Sequence, residues 1–167
     1  MKADNAYQSI IHPIPPVFDA DSEILILGSF PSVKSREAMF FYGHPQNRFW
    51  KVIAGVFGDS VPQTIEEKKH LILDHHLALW DVISSCEIEG SSDASIKNVT
   101  ANDLSPLLQA ASIDKILVNG KTAEKLYIQY IQPKTQFPAI CLPSTSPANA
   151  AWSLERLIDV WGRVLKE

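Results

Sequence analysis

The side chains able to do chemistry gather in four short stretches of this chain. The first is Gly28-Ser29-Phe30-Pro31-Ser32, continued by Phe41-Tyr42-Gly43-His44-Pro45-Gln46-Asn47-Arg48-Phe49-Trp50. The others are Asp81 with the polar run to Thr100, Asn119-Gly120-Lys121, and Pro143-Ser144-Thr145-Ser146-Pro147-Ala148-Asn149. Together they are rich in amides, hydroxyls, glycine and aromatics and poor in metal ligands. Of the histidines, His44 falls in these stretches, while His70, His75 and His76 belong to one predicted helix, where a solvent-facing position explains them better than zinc. No Gly-x-x-x-x-Gly-Lys-Ser/Thr, Gly-x-Gly-x-x-Gly or Gly-x-Ser-x-Gly pattern occurs, so triphosphate, dinucleotide and serine-hydrolase chemistry lose support. Ser144 and Ser146 have no base beside them in sequence. As a hydroxyl-rich loop opening a helix, Ser144, Thr145 and Ser146 read either as a phosphate site or as plain N-capping.

Four apolar runs position these stretches. Glu23-Ile24-Leu25-Ile26-Leu27 has the form of a parallel strand buried on both faces. Further strands are expected at Ala78 to Ile83, Lys115 to Val118 and Phe137 to Leu142. Between them, Gln46 to Phe57 carries Phe49, Trp50, Ile53, Val56 and Phe57 at helical spacing. Thr64-Ile65-Glu66-Glu67 is a capping box that opens a helix running to about His76. Asn102 to Ala111 and Lys121 to Ile131 read as helices. The last helix is expected to start at Ser146-Pro147, a cap followed by proline, and to bury Leu154, Leu157, Ile158, Trp161, Val164 and Leu165.

This alternation predicts a three-layer α/β/α domain around a four-stranded, mainly parallel sheet with right-handed crossovers. All four loops then gather at the carboxyl edge of the sheet, where open α/β folds bind ligands. Ser84 to Thr100 reads as one long functional loop. Residues 1–21, with Pro13, Pro15 and Pro16, read as an extended lead-in.

A length of 167 residues favours one domain spanning the whole chain. No apolar run approaches a membrane span. Met1 to Ala6 lacks a signal-peptide pattern, so an intracellular, cytoplasmic location is expected. Cys86 and Cys141 are expected to be free, mostly buried thiols. The net charge of −4 argues against whole-surface attraction to nucleic acid but not against a few local phosphate contacts.

The motifs Gly28 to Ser32, Tyr42 to Trp50, Leu79-Trp80-Asp81-Val82, Asn119-Gly120-Lys121 and Leu142 to Asn149 together resemble the uracil-DNA glycosylase superfamily, most closely its hypoxanthine (deoxyinosine) DNA glycosylase branch. The resemblance covers nearly the whole chain. It implies hydrolysis of the N-glycosidic bond of a deaminated base in DNA, with the nucleotide flipped out of the stack into a pocket. It further implies that Tyr42 stacks on the base and that Asn47 is catalytic, its amide oxygen orienting the attacking water. A structural reading of Asn47, as N-cap of the helix behind it, is compatible with that role. Gly28, Ser29 and Phe30 would line the pocket. Asp81 would accept from a ring N–H or serve as a loop anchor, and Asn119 would contact base or water. Lys121, Ser144, Thr145, Ser146 and Asn149 would hold DNA phosphates, Lys121 being better placed for a phosphate than for an imine.

Two positions depart from the superfamily pattern. Many members carry an acidic or amide side chain just after the first motif's glycine, where this chain has Ser29. Some carry a histidine or asparagine where it has Leu142. The departures move the expected chemistry to Asn47 and away from ordinary uracil excision toward hypoxanthine. The expected protein is a monomeric, monofunctional glycosylase needing no metal or cofactor. The competing reading is a non-catalytic nucleic-acid- or nucleotide-binding α/β module. A nucleoside hydrolase would not need the phosphate-holding motif.

Overall fold

A computed structural model describes residues 7–167. The amino-terminal hexapeptide used above for the targeting argument lies outside the described residues. The elements run β1 (Tyr7–Ile11), β2 (Ile24–Gly28), α1 (Val33–Ala38), α2 (Phe49–Phe57), α3 (Ile65–Asp74), β3 (Leu77–Asp81), β4 (Ile83–Glu89), β5 (Lys97–Ala101), α4 (Ser105–Ala110), β6 (Lys115–Asn119), α5 (Lys121–Tyr130), α6 (Gln132–Thr135), β7 (Ile140–Leu142) and α7 (Leu154–Leu165).

Strands β3, β2, β6 and β7 form the expected parallel sheet in that order. Alternation along β2 divides the core. Ile26 joins Phe49, Ile53, Ile72, Leu157 and Trp161 in a cluster made with α2, α3 and α7. Leu25 and Leu27 join Ile116, Val118, Leu107 and Tyr127 on the opposite face, with α4 and α5. A sheet so covered must bury both faces, which is why these strands are continuous apolar runs. Thr64 caps α3 with the full capping box.

Three expectations give way. The stretch Ser84 to Thr100 is not a loop. Its ends belong to strands β4 and β5, joined through a single 3-10 turn at Asp93–Ser95, and β1 completes an antiparallel sheet of order β1-β4-β5. Only one face of this sheet packs inward, through Cys86 and Ile88. Register shifts along the β4–β5 pair break the period of two, so its polar, irregular sequence hid the strands. The lead-in is likewise woven in: Val17 exchanges both backbone hydrogen bonds with Leu79, and Ile14 and Val17 are buried.

The third correction concerns α7, which begins at Leu154 under a Ser153 cap rather than at Ser146-Pro147. The Arg48 guanidinium donates to the carbonyls of Ser146, Asn149 and Trp152, which holds 146–152 as a turned loop. The apolar stripe of α7 is otherwise as expected, with Leu157, Trp161 and Leu165 buried. Cys86 and Cys141 are free thiols. Among the described residues no helix is long and apolar enough to cross a membrane.

Candidate active site

The parallel strands end at Gly28, Asp81, Asn119 and Leu142, and these ends with the loops beyond them enclose a cavity of about 290 Å³. Gly28, Ser29, Phe30, Tyr42, Asn47, Asp81, Asn119, Ser144, Thr145 and Ser146 all line it. Ten of the expected residues, from four separate loops, are thus brought to one concavity. Lys121 and Asn149 do not reach it. They line an adjoining cavity of about 560 Å³ with Thr122, Glu124 and Trp152.

Gly28 and Asp81 are partners in the β2–β3 register. A Cβ on Gly28 would fall 2.6 Å from Asp81 Oδ1 and 2.9 Å from the Tyr42 hydroxyl, so only glycine leaves room for both polar groups beside this strand end at the cavity floor. Tyr42 has φ 53°, a left-handed conformation that bulky residues rarely adopt. Its ring stacks on Phe49 with centroids 4.1 Å apart and planes 19° apart. Phe49 takes one face of the ring, leaving the remainder to line the cavity. The Tyr42 hydroxyl is buried without a hydrogen-bond partner among the described residues. Burial first, and the Asp81 charge second, raise its pKa far above that of an ordinary phenol, the Asn119 side chain opposing.

A chain of hydrogen bonds fixes the amides. Asn47 Oδ1 accepts from Phe49 N at 2.9 Å and from Thr145 Oγ1 at 2.9 Å. Thr145 Oγ1 in turn accepts from Asn119 Nδ2 at 3.0 Å, and Thr145 N donates to Asn119 Oδ1 at 3.1 Å. The Phe49 N–H can only donate, so the Asn47 amide has one orientation. Both lone pairs of its oxygen are then occupied. Asn47 Oδ1 therefore joins the first helical N–H of α2 to the Thr145 hydroxyl, the helix cap itself falling at Arg48, and has no lone pair left for the water the resemblance implied; Nδ2 donates to no other described residue, and Asn47 lines the cavity. Thr145 is fully buried, with hydroxyl and amide both spent, so it positions amides rather than holding a phosphate.

The rest of the second motif is similarly self-satisfied. Ser146 N donates to Ser144 Oγ, Ala148 N to Ser146 Oγ, and Asn149 Nδ2 to the Ser144 carbonyl. With α7 starting later, no helix amino terminus stands behind these residues. Lys121 does open a helix, α5, behind Gly120.

Two residues of the site carried no sequence signal. His12, from the lead-in, donates through Nε2 to Asp81 Oδ2 at 2.8 Å, while its Nδ1 accepts from Ile14 N at 3.2 Å. That pair of bonds sets the tautomer with the proton on Nε2. Both side chains are almost wholly buried, 4% and 5% exposed. Asp93, from the β4–β5 turn, lines the cavity and accepts from Ser29 Oγ at 3.2 Å. Desolvation raises the Asp93 pKa and the Asp81 charge adds to it, against the Ser29 and Thr122 hydroxyls, which lower it. Only strand pairing brings either residue to the sheet edge.

The family model for the Uracil DNA glycosylase superfamily matches residues 15–164. This chain belongs to the uracil DNA glycosylase superfamily. A hypoxanthine DNA glycosylase of Methanosarcina acetivorans is 35% identical over 144 residues, covering 85% of this chain and 90% of the relative. Another hypoxanthine DNA glycosylase, from Methanosarcina barkeri, is 37% identical over 110 residues, covering 64% and 69%. A solution NMR structure of a candidate uracil DNA glycosylase from Methanosarcina acetivorans superposes with a TM-score of 0.79 at 32% identity, covering 94% of this chain and 98% of that one. Membership makes the chain a DNA glycosylase acting on deaminated bases. Of the two departures from the superfamily pattern, Leu142 is a core residue, 2% exposed, and Ser29 is the partner of Asp93.

Proposed function

We propose that this protein excises hypoxanthine from DNA as a monofunctional, metal-independent glycosylase, hydrolysing the bond between the base and C1′ to leave an abasic site. It would work inside the cell as a monomer. The observation that carries the reading is the Asn47–Thr145–Asn119 network, which occupies Asn47 Oδ1 and leaves its amide protons unspent beside a cavity bounded by Tyr42 and Asp81.

In this reading the flipped base lies on Tyr42, and the cavity, at the small end of ligand pockets, admits one base. Hypoxanthine carries a ring N–H that Asp81 can accept, and uracil shares that feature. Its carbonyl and ring nitrogens accept from Asn47 Nδ2, which stabilises charge building on the departing base. Lys121, Ser144, Ser146 and Asn149 run beside the backbone, with Lys121 supplying a cation.

Incubation with duplexes containing hypoxanthine, uracil, xanthine or no lesion, followed by alkali, tests the reading. Strand breaks at hypoxanthine that vanish with Asn47→Ala are expected. Lesion binding without breaks on any duplex would instead favour the non-catalytic module.

A further inference from the structure

We propose that Asp93 is the carboxylate that accepts the proton of the attacking water. The inference rests on the glycosylase reading and deepens it by naming the base.

Hydrolysis needs a proton acceptor near C1′, and the acceptors at the cavity are largely spent. Asn47 Oδ1 holds two donors, Asn119 Oδ1 takes Thr145 N, and His44 Nδ1 takes Gln46 N. Asp81 Oδ2 is bound by His12, and its Oδ1 is packed against Gly28 at the floor, where the base edge would lie. Asp93 meets the Ser29 hydroxyl and makes no ion pair among the described residues.

Position separates the two carboxylates. With the base in the first cavity and the backbone along Lys121 and Asn149 in the second, the sugar must sit where the cavities join. Asp93, Asn119, Ser144, Ser146 and Ala148 line both, and of these Asp93 alone is ionisable. In the step itself the C1′–N bond breaks with its electron pair going to the base, and water oxygen bonds to C1′. One water proton passes to Asp93. Transfer of that proton to the departed base returns the carboxylate and leaves deoxyribose with a 1′-hydroxyl.

The ionisable groups facing Asp93 across the cavity walls are Asp81, Tyr42 and His44 in the first and Lys121, Glu124 and Cys141 in the second. Asp93 is open to solvent, yet desolvation by the cavity walls, with the Asp81 charge adding to it and the Ser29 and Thr122 hydroxyls opposing, raises its pKa from the ordinary carboxylate value.

Single-turnover rates on a hypoxanthine duplex, measured from about pH 4 to 8, test the assignment in the full chain. Asp93→Asn should be at least about 100-fold slower and lose the acid limb. Its duplex affinity, read by fluorescence anisotropy, should stay within about threefold. Ser29→Ala removes a bond that favours the ionised form and should move the acid limb to higher pH, which tests Asp93 in a protein that keeps it. An Asp93→Asn protein of wild-type rate, or a slow one that keeps the acid limb, overturns the role of Asp93 while wild-type cleavage leaves the glycosylase reading standing. A wild-type protein that makes no abasic site on any lesion overturns both.

Discussion

Thr145→Val isolates the contribution of the amide network, because it keeps nearly the same volume and removes one buried hydroxyl. That hydroxyl donates to Asn47 Oδ1 at 2.9 Å and accepts from Asn119 Nδ2 at 3.0 Å. In the variant Asn47 Oδ1 retains Phe49 N, while Asn119 Nδ2 loses its partner beside an apolar methyl. An orphaned polar group costs about 1–3 kcal/mol, and because Asn119 is half-buried and borders the cavity, a loss of about 2 kcal/mol is expected. For a domain of this size that lowers the Tm by roughly 4–8 °C. The rate should suffer more than stability, since an amide free to shift by an ångström forfeits up to about 100-fold in positioning. Thermal denaturation and single-turnover excision of hypoxanthine measure the two effects, with Thr145→Ser as the control that keeps the hydroxyl. A Thr145→Val protein that melts early but excises at the wild-type rate would refute the positioning argument, and so would a Thr145→Ser protein as slow as Thr145→Val.

Gly28→Ala drives a methyl to 2.6 Å from Asp81 Oδ1 and 2.9 Å from the Tyr42 hydroxyl. Such overpacking costs about 1–3 kcal/mol, and the displaced pair should weaken lesion binding more than undamaged-duplex binding; equal affinities would count against Asp81 and Tyr42 as the base-facing floor. His12→Ala leaves the Asp81 carboxylate buried without its donor, a loss of about 1.5–3 kcal/mol that chemical denaturation should show, together with slower hypoxanthine excision. Unchanged excision would make the His12 bond purely structural. Asp93 is expected to carry a stability cost opposite in sign to its use. Its folded pKa is raised, so its contribution to stability is full below the unfolded carboxylate pKa and lost as pH rises through the folded value. Asp93→Asn should therefore melt higher than wild type at neutral pH, with the gap closing in acid. A variant that melts lower at neutral pH contradicts that cause of the shift.

The parallel sheet was legible because each strand is buried on both faces and reads as an unbroken apolar run, and α3 because Thr64 and Glu67 form a local capping box. The position of α7 was not, because the carbonyls of Ser146, Asn149 and Trp152 are claimed by Arg48, about a hundred residues earlier in sequence. A proline behind a serine is a sound helix start only when nothing distant competes for those carbonyls. Tyr42, Asn47 and Asp81 were singled out because their motifs resemble the superfamily's, with Asp81 in an expected strand and the other two in the long loop after the first. Their hydrogen-bond states were not legible, since the saturation of Asn47 Oδ1 depends on Thr145, which reads in sequence as one hydroxyl in a surface loop.

The small antiparallel sheet accounts for what the sequence concealed at the site. A parallel sheet can bring to its edge only residues that follow its own strands, here the amides, Tyr42 and Asp81. His12, just past β1, and Asp93, in the β4–β5 turn, arrive from a second, antiparallel sheet whose β4–β5 pair shifts register and so lacks a clean period of two. The chain passes from β3 to β4 through Val82, whose N–H donates to the Gly28 carbonyl at 2.8 Å, so the second sheet is tied to the strand end that floors the cavity. The amides are locked by the large sheet, whereas the partners of its polar ends, His12 for Asp81 and Asp93 for Ser29, come from the small one. A serine in the first motif therefore need not mean a site without an acid, because the carboxylate that Ser29 lacks stands 3.2 Å away on another loop.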